Sequence, residues 1–517
     1  MNVSAERSDA ISVKAARPAL VQSFCIEQLY GYRTISLSSE YAATVLIAKN
    51  GTGKTTLLGA MDAFLKLQFT RLRELPFSTI RCRLHGTGEE LAVTHDDVLE
   101  FLSIPAEGEL YRTASRIDVD PYNLFQYIVE SAINTPIDRH NSDDRTSLAL
   151  RSAFNYNYSD IESTLRKIEQ ELYSRNANIH KAWIVIKSAL ADTEIVYLPT
   201  YRRVELAISD ENERDRLGRP KKPRFNVAAG SLYTGDIQFG LGDISERLRI
   251  LNNSIIRASN NGYREISANI INDLFDGSYA HQKYADHDLP SQDELRLFFS
   301  RLRENRQTMP YEPVTAPNIE HLSTKADMPE TTKQFLYYFL TQLGQVITAT
   351  KDVEVPVDTF ITKCNKYLLS DEPSTQLPEA ASTTSSAEGK ALRLNRKNLS
   401  VFVESLPEKR KIPLNSLSSG EKQMISLFAK LFLYPKKKIV LIDEPELSLS
   451  IDWQSQILVD ILDAPLCEQI IAITHSPFVF ENELDPFARP LRIIRHIEAL
   501  SDSAEGEDVL GGFEDGE

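Results

Sequence analysis

Leu417–Trp453 reads LSSGEKQMISLFAKLFLYPKKKIVLIDEPELSLSIDW, and this stretch decides the fold. Four apolar residues, Ile439–Ile442, run straight into Asp443 and Glu444. A run too short for a helix and apolar at every position predicts a buried parallel strand. The two carboxylates at its carboxyl end stand where open α/β sheets place their ligands. Upstream, Ser418-Ser419-Gly420-Glu421 opens a helix on which Met424, Leu427, Phe428 and Leu431 keep helical spacing. The N-terminus of such a helix, reached through small residues, favours anions.

A second stretch, far upstream, is its partner. Ala48-Lys49-Asn50-Gly51-Thr52-Gly53-Lys54-Thr55 follows an apolar strand, Thr44–Ile47, and precedes a helix predicted over Thr56–Leu67. Strand, glycine loop, Lys-Thr and helix in that order make a P-loop. Its backbone N–H groups cradle phosphates, so Asn50, Gly51, Thr52, Gly53, Lys54, Thr55 and Thr56 form the ATP-binding set. Lys54 reaches the β- and γ-phosphates and the Thr55 hydroxyl ligates Mg²⁺. Ala48 replaces the usual first glycine, so the opening turn must accept a Cβ. The expected effect is mild, because Gly51, Gly53 and Lys54 remain. Asp443 is placed to support the Mg²⁺ and Glu444 to orient the attacking water. The next apolar run, Ile470–Ile473, ends in Thr474-His475-Ser476, which sets His475 against the γ-phosphate.

Bulk properties bound the rest. A chain of 517 residues can hold two or three domains around a large core. Hydrophobic content of 42% and charged content of 25% are ordinary for a soluble globular protein. No run is long enough to span a membrane, and Met1–Leu20 lacks the apolar core of a signal peptide. Cys25, Cys82, Cys364 and Cys467 show no paired spacing, which fits a cytoplasmic protein without a zinc site. A net charge of −15 means that any nucleic-acid contact must use local basic patches.

In chain order, Phe24–Leu37 reads as two strands around Gly31, and Pro76–Thr94 as a hairpin turning at His85-Gly86-Thr87-Gly88. Pro121–Leu190 is helical, with an apolar stripe of Ile161, Leu165, Ile168 and Leu172 behind a cap at Ser159-Asp160. Glu194–Tyr201 is another apolar strand, followed by a basic loop, Arg214–Arg224. That loop is either a solvated turn or a phosphate contact. Helices are expected over Ile244–Phe275, Asp293–Arg303 and Thr331–Ile347. His281, Asp286, His287 and Asp288 share a loop of mixed charge that reads as polar before it reads as a metal site. Asp371–Lys390 has the composition of a flexible loop, and Leu392–Val403 returns to strand character. Acidic residues gather beyond Arg495, so 498–517 reads as a disordered acidic tail.

LSSGE resembles the signature loop of ABC-type ATPases. With the P-loop, the DE-ending strand and the later histidine, it resembles the head domains of ABC, SMC and OLD-type ATPases. IVLIDEPELSLSIDWQ and IAITHSPFVFENEL, together with VYLPTYRRVE and IQFGLGDI, are similar to the OLD-like ATPases of anti-phage systems. Within that group the likeness is to the PtuA type of Septu defence and Septu-like retron systems. The resemblance implies an α/β ABC/SMC-type head: a mostly parallel P-loop sheet, an antiparallel β subdomain and a largely helical insert. The head would be formed by 1–110 and 391–497, with the insert over 111–390 lending one head strand near 194–201. The resemblance also implies a dimer or higher oligomer in which two heads enclose two ATPs, with Ser418, Ser419, Gly420 and Glu421 of one facing Lys54 and Glu444 of the other. A glutamine on Mg²⁺ and the attacking water is also implied; Gln238 is a candidate, and Gln68 and Gln126 compete with it. The implied partners are an HNH nuclease of PtuB type and nucleic acid, either DNA or a retron DNA–RNA hybrid with its reverse transcriptase. Two departures stand out. Ser450 occupies the D-loop position where ABC and SMC heads carry aspartate, with Asp452 nearby. And the stretch after His475 is too short for the TOPRIM nuclease of OLD-type proteins. The alternatives are an SMC-like repair ATPase, disfavoured by the lack of sustained heptads between Lys54 and Ser418, and a transporter ATPase subunit.

Overall fold

The computed structural model describes residues 2–104, 107–131, 145–199, 241–276, 289–304, 329–369, 389–406, 408–446 and 449–496. The chain begins with α1 (Asn2–Ala15), then β1 (Val21–Leu29), β2 (Arg33–Ser38), β3 (Ala43–Ile47) and α2 (Lys54–Leu65). The hairpin β4 (Thr79–Leu84) and β5 (Glu90–Thr94) leads into α3 (His95–Leu102), α4 (Glu109–Arg116), α5 (Pro121–Ser131), α6 (Arg145–Ala153), α7 (Tyr158–Ser174) and α8 (Ala177–Ala189). After β6 (Thr193–Leu198) come the long α9 (Leu241–Asp276), α10 (Gln292–Glu304) and α11 (Glu330–Leu368). Three strands follow, β7 (Gly389–Asn395), β8 (Ser400–Leu406) and β9 (Arg410–Ile412). The chain then gives α12 (Ser419–Phe432), β10 (Lys437–Asp443), α13 (Ile451–Asp463), β11 (Cys467–Thr474), β12 (Ala488–Pro490) and β13 (Arg492–Arg495).

Two five-stranded sheets organise these elements. One is parallel, in the order β12-β3-β11-β10-β6; the other is antiparallel, in the order β13-β2-β1-β4-β5. The expected α/β class, with a parallel P-loop sheet and an antiparallel β layer, is the one observed. β10 shows why its sequence lacks alternation. Ile439 and Leu441 enter one core while Val440 and Ile442 enter another. A strand covered on both faces needs apolar side chains at both parities. The first core also takes in α2 and the antiparallel sheet, so α2 is buried on nearly every side and is apolar all round. The second core holds α1, α12, α13 and the inner halves of α9 and α11.

The insert contains more helix than its sequence suggested. α9 and α11 have 36 and 39 residues, about 54 and 58 Å at 1.5 Å per residue. They run antiparallel: Asp273 accepts a hydrogen bond from the Tyr338 hydroxyl, and a Cβ on Gly262 would lie 2.6 Å from Val346. Glycine permits that approach. α11 was expected to stop at Ile347 but continues through Pro356. An interior proline costs about 3 kcal/mol. Burial of Val357, Phe360, Cys364 and Tyr367, spaced along one helical face, offsets it. α7 buries the expected stripe, but it starts at Tyr158, with Asn157 rather than Ser159-Asp160 at its cap. α1 was not foreseen because only Ile11 and Ala15 among its described side chains are core residues. Leu392–Val403, read as one strand, is a hairpin of β7 and β8 within a separate three-stranded antiparallel sheet, and Lys390 belongs to that sheet rather than to a loop. The basic loop, the His281–Asp288 cluster and the acidic tail lie outside the described residues. All four cysteines are free thiols, and no helix among the described residues is long and apolar enough to cross a membrane.

Candidate functional site

Strand register builds the site. Thr474 of β11 is level with Ile47 of β3, and Ile473 is level with Asp443 of β10. Three carboxyl ends therefore meet side by side, carrying the P-loop, Asp443-Glu444 and His475. The middle strand is the one that delivers the histidine.

The P-loop adopts the geometry its glycines allow. Gly51 and Gly53 have φ of 76° and 92°, in the left-handed region. At Gly53 a Cβ would also lie 2.7 Å from Ile35 Cδ1. Ala48, by contrast, has no left-handed φ, and its N–H donates to Thr474 O at 3.1 Å. The missing first glycine thus costs no backbone strain. The Thr52 hydroxyl donates to Lys49 O at 2.7 Å, and Arg33 donates to Gly51 O at 3.3 Å. Arg33 lies beside the Tyr30 and Tyr32 rings, 5.2 and 5.3 Å from their centroids. It was not singled out from sequence, where it is one arginine among many.

Lys54, the first residue of α2, is buried and makes an ion pair with Glu444 at 2.5 Å. It also donates to Asn50 Oδ1 at 3.2 Å. The Thr55 hydroxyl donates to Asp443 Oδ2, and Asp443 is fully buried. A hydroxyl and a carboxylate converging at a helix N-terminus are hard oxygen donors of the kind Mg²⁺ takes, so the residues fit that ion. Glu444 has φ of 52°, an uncommon conformation for a residue that is neither Gly nor Asn. Such strain costs on the order of 1–3 kcal/mol and gathers at functional sites. Here it accompanies a turn out of β10 in which Glu444 N–H donates to Ile473 O at 2.8 Å.

His475 is exposed, and its Nδ1 lies 2.8 Å from Glu446 Oε1 and 3.9 Å from Glu444 Oε1. Glu446 is a residue the sequence reading passed over. The available signal was a second carboxylate two positions after Glu444. Gln454 of α13 was also missed: it donates to Glu446 O and Leu449 O, and accepts from the Ser476 hydroxyl.

The signature residues stand apart from this group. Ser418 caps α12, and its hydroxyl and amide exchange hydrogen bonds with Glu421 in a capping box. Lys390 of β7 donates to both Glu421 oxygens at 3.0 Å. Burial would raise the Glu421 carboxyl, but the Ser418 amide and Lys390 ammonium outweigh it and hold its pKa below the usual range. Ser418 is exposed, whereas Gly420 is buried. Gln238 lies outside the described residues. Gln68 accepts from Arg71 in a buried cluster with Asp62 and Lys66, and Gln126 donates to the Tyr122 hydroxyl. These contacts take both competing glutamines into other parts of the fold. Ser450 caps α13, with Asp452 exposed in its first turn.

A family model described as AAA ATPase domain matches residues 25–480. No curated protein matches the chain. Among solved structures, an SMC head bound to the C-winged helix domain of ScpA is 15% identical, with 30% of this chain and 46% of that one covered and a TM-score of 0.18. An SMC head domain with an extended coiled coil, bound to the C-terminal domain of ScpA and derived from Pyrococcus furiosus, is 11% identical. That match covers 92% of this chain and 96% of the other, with a TM-score of 0.30. An SMC head domain with a coiled coil and joint from Pyrococcus yayanosii is 12% identical over the same shares, with a TM-score of 0.29.

Proposed function

The chain belongs to the AAA ATPase domain family, and we propose that this ATPase is the nucleotide-controlled subunit of a bacterial anti-phage system that governs a nuclease in trans. The observation that carries the chemistry is the meeting of three strand ends at one point, with Lys54 ion-paired to Glu444. In this reading, Lys54 exchanges Glu444 for the β- and γ-phosphate oxygens of ATP, and the amides of Asn50–Thr56 surround them. Thr55 and Asp443 would hold Mg²⁺, which supplies charge neutralisation on those oxygens. Glu444, released from Lys54, orients the attacking water and accepts its proton. His475 donates to the γ-phosphate.

The likeness of the Ile439–Gln454 and Ile471–Leu484 stretches to OLD-like defence ATPases supports the biological role. Residues 1–110 and 391–497 act as the head, 111–390 as an insert with one head strand, and 498–517 as an acidic tail. Ser418, Ser419, Gly420 and Glu421 act on the ATP of a second copy, so ATP is part of the dimer interface and its hydrolysis loosens that interface. The exposed Ser418 at an α12 N-terminus whose contacts run to Lys390 supports this use in trans. The nuclease is of HNH, PtuB type. Nucleic acid, either DNA or a retron DNA–RNA hybrid, meets the basic loop at Arg214–Arg224, and the complex is cytoplasmic. A second reading, an SMC-like repair ATPase, draws on the antiparallel α9–α11 pair and is not better supported than the first.

Two measurements test the proposal. Mixing a Lys54→Ala chain with a Gly420→Asp chain leaves one intact composite site per mixed dimer, so ATP hydrolysis recovers from near zero. No recovery with mixing verified overturns action in trans. Purification from a native host brings down a nuclease, and DNA cleavage follows that second protein and nucleotide state. Cleavage by the isolated chain that survives Lys54→Ala overturns control of a separate nuclease. DNA bridging with no nuclease bound favours the SMC-like reading.

A further inference from the structure

A phosphate can dock at the N-terminus of α12 only if the charge already there permits it. The amides and dipole of that terminus favour an anion. Glu421, in the first turn, opposes one. Burial would raise its pKa, but the Ser418 amide and the Lys390 ammonium hold it below the usual range, so the group is a carboxylate at neutral pH. Left alone, that carboxylate would repel the γ-phosphate that Ser418 and Gly420 are to receive.

Lys390 cancels that charge. Its Nζ lies 3.0 Å from both Glu421 oxygens, with side chains 34% and 14% exposed. Among the described residues, no other cation pairs with Glu421. Lys390 comes from a different element, β7, and its place there is fixed. It is level with Ser405 of β8. Residues two apart on a strand share a face. Leu392, on the face of Lys390, is buried in the second core with Met424 and Phe428 of α12. Asn365 of α11 accepts Leu392 N–H at 2.6 Å and donates to Leu392 O at 3.0 Å, as a neighbouring strand would. Backbone bonds on both sides and a core residue therefore hold β7 while Lys390 reaches α12. Glu421 keeps its capping task throughout, with Oε2 accepting the Ser418 N–H at 2.7 Å.

We propose that Lys390 is a positioning residue of the signature loop, cancelling the Glu421 charge so that α12 presents donors alone to the γ-phosphate of a second copy's ATP. The proposal rests on the action in trans described above. Lys390 acts through Glu421 and needs no contact with the nucleotide. The carboxylate shapes the loop by capping Ser418, and the lysine lets an anion approach the shape so made. Without Lys390 the cap stays and the repulsion returns.

The test uses the mixed dimer of Lys54→Ala and Gly420→Asp chains, whose one working site takes its signature loop from the Lys54→Ala chain. Lys390→Met, which keeps the apolar stem and removes the charge, is added to one chain or the other. On the Lys54→Ala chain it lowers ATP hydrolysis roughly 10- to 100-fold, the usual range of coupling between two sites. On the Gly420→Asp chain, whose signature loop is already inactive, it changes nothing. Lys390→Arg keeps the charge and most of the activity. Two readouts separate charge from mere support. Glu421→Gln retains a capping box without the charge, so adding Lys390→Met to it costs less than about twofold. Raising salt from about 0.1 M to about 1 M cuts the Debye length from about 10 Å to about 3 Å, so the Lys390→Met defect shrinks relative to the parent mixture. An equal loss from either chain, an undiminished loss in the Glu421→Gln background, or a loss that salt does not reduce overturns the proposal alone. So does parent-level hydrolysis with Lys390→Met on the chain that supplies the signature loop. No recovery in the starting mixture of Lys54→Ala and Gly420→Asp overturns action in trans itself, and the proposal with it.

Discussion

Glu444→Gln tests the site most sharply, because Glu444 pairs with Lys54 in the structure and is proposed to orient the attacking water. In the structure it neutralises Lys54 across 2.5 Å, with side chains only 5% and 16% exposed. In the proposed hydrolysis it faces water while Lys54 faces phosphate. Binding ATP therefore breaks an existing charge-assisted bond. Such a bond contributes about 1.5–3 kcal/mol, and Glu444→Gln replaces it with a weaker one from the Lys54 ammonium to an uncharged acceptor. Most of that energy returns to binding. ATP affinity should rise roughly 10- to 100-fold, at 1.4 kcal/mol per decade. Hydrolysis should fall by roughly 100- to 10,000-fold, the usual contribution of a positioned base. The ATP-bound dimer should then accumulate. Isothermal calorimetry with Mg-ATP gives the affinity, phosphate release gives the rate, and sedimentation gives the dimer. Unchanged affinity would refute the competition between Glu444 and phosphate for Lys54. Wild-type turnover would refute Glu444 as the base.

One further outcome concerns the same ion pair and another a buried carboxylate elsewhere in the fold. Lys54→Ala should leave the fold intact by circular dichroism but weaken ATP binding by roughly 100-fold or more, since two phosphate contacts of a charged donor are lost; calorimetry showing parent affinity would reject the P-loop reading. Asp460, fully buried between α13 and α11, should govern acid stability. Burial would raise its carboxyl pKa, but Lys363, Lys366 and the Tyr367 hydroxyl outweigh this and lower it from 3.8 to about 2. A depressed carboxylate stabilises the fold above its unfolded pKa and loses that contribution as pH falls through the folded value. Urea midpoints of the parent should therefore drop between about pH 4 and pH 2 more steeply than those of Asp460→Asn. The variant should already be less stable at neutral pH by about 3 kcal/mol, because Lys366 loses its carboxylate partner and Lys363 keeps only Asp463. Parallel pH slopes would remove Asp460 from that account.

Much of the site was legible because phosphate chemistry writes itself locally. A P-loop needs left-handed glycines, a lysine and a hydroxyl within eight residues, and Gly51, Gly53, Lys54 and Thr55 announce it without tertiary context. β10 was equally plain, since a strand covered on both faces has no polar alternation to hide it. The capping box at Ser418 and Glu421 is a four-residue pattern and was read as a helix start. Tertiary structure decided what such patterns cannot carry. Which strand lies between the P-loop and Asp443 depends on pairing across more than four hundred residues, and β11 takes that place. Glu446 reads as one more acidic residue until that pairing sets His475 2.8 Å from it. Arg33 gains meaning only because the antiparallel sheet lays it against Gly51. α11 outlasts Pro356 because the second core buries the face beyond it. Local physics names residues whose chemistry is completed by their neighbours in sequence. Residues completed by partners on another strand acquire a role only when the sheet has formed.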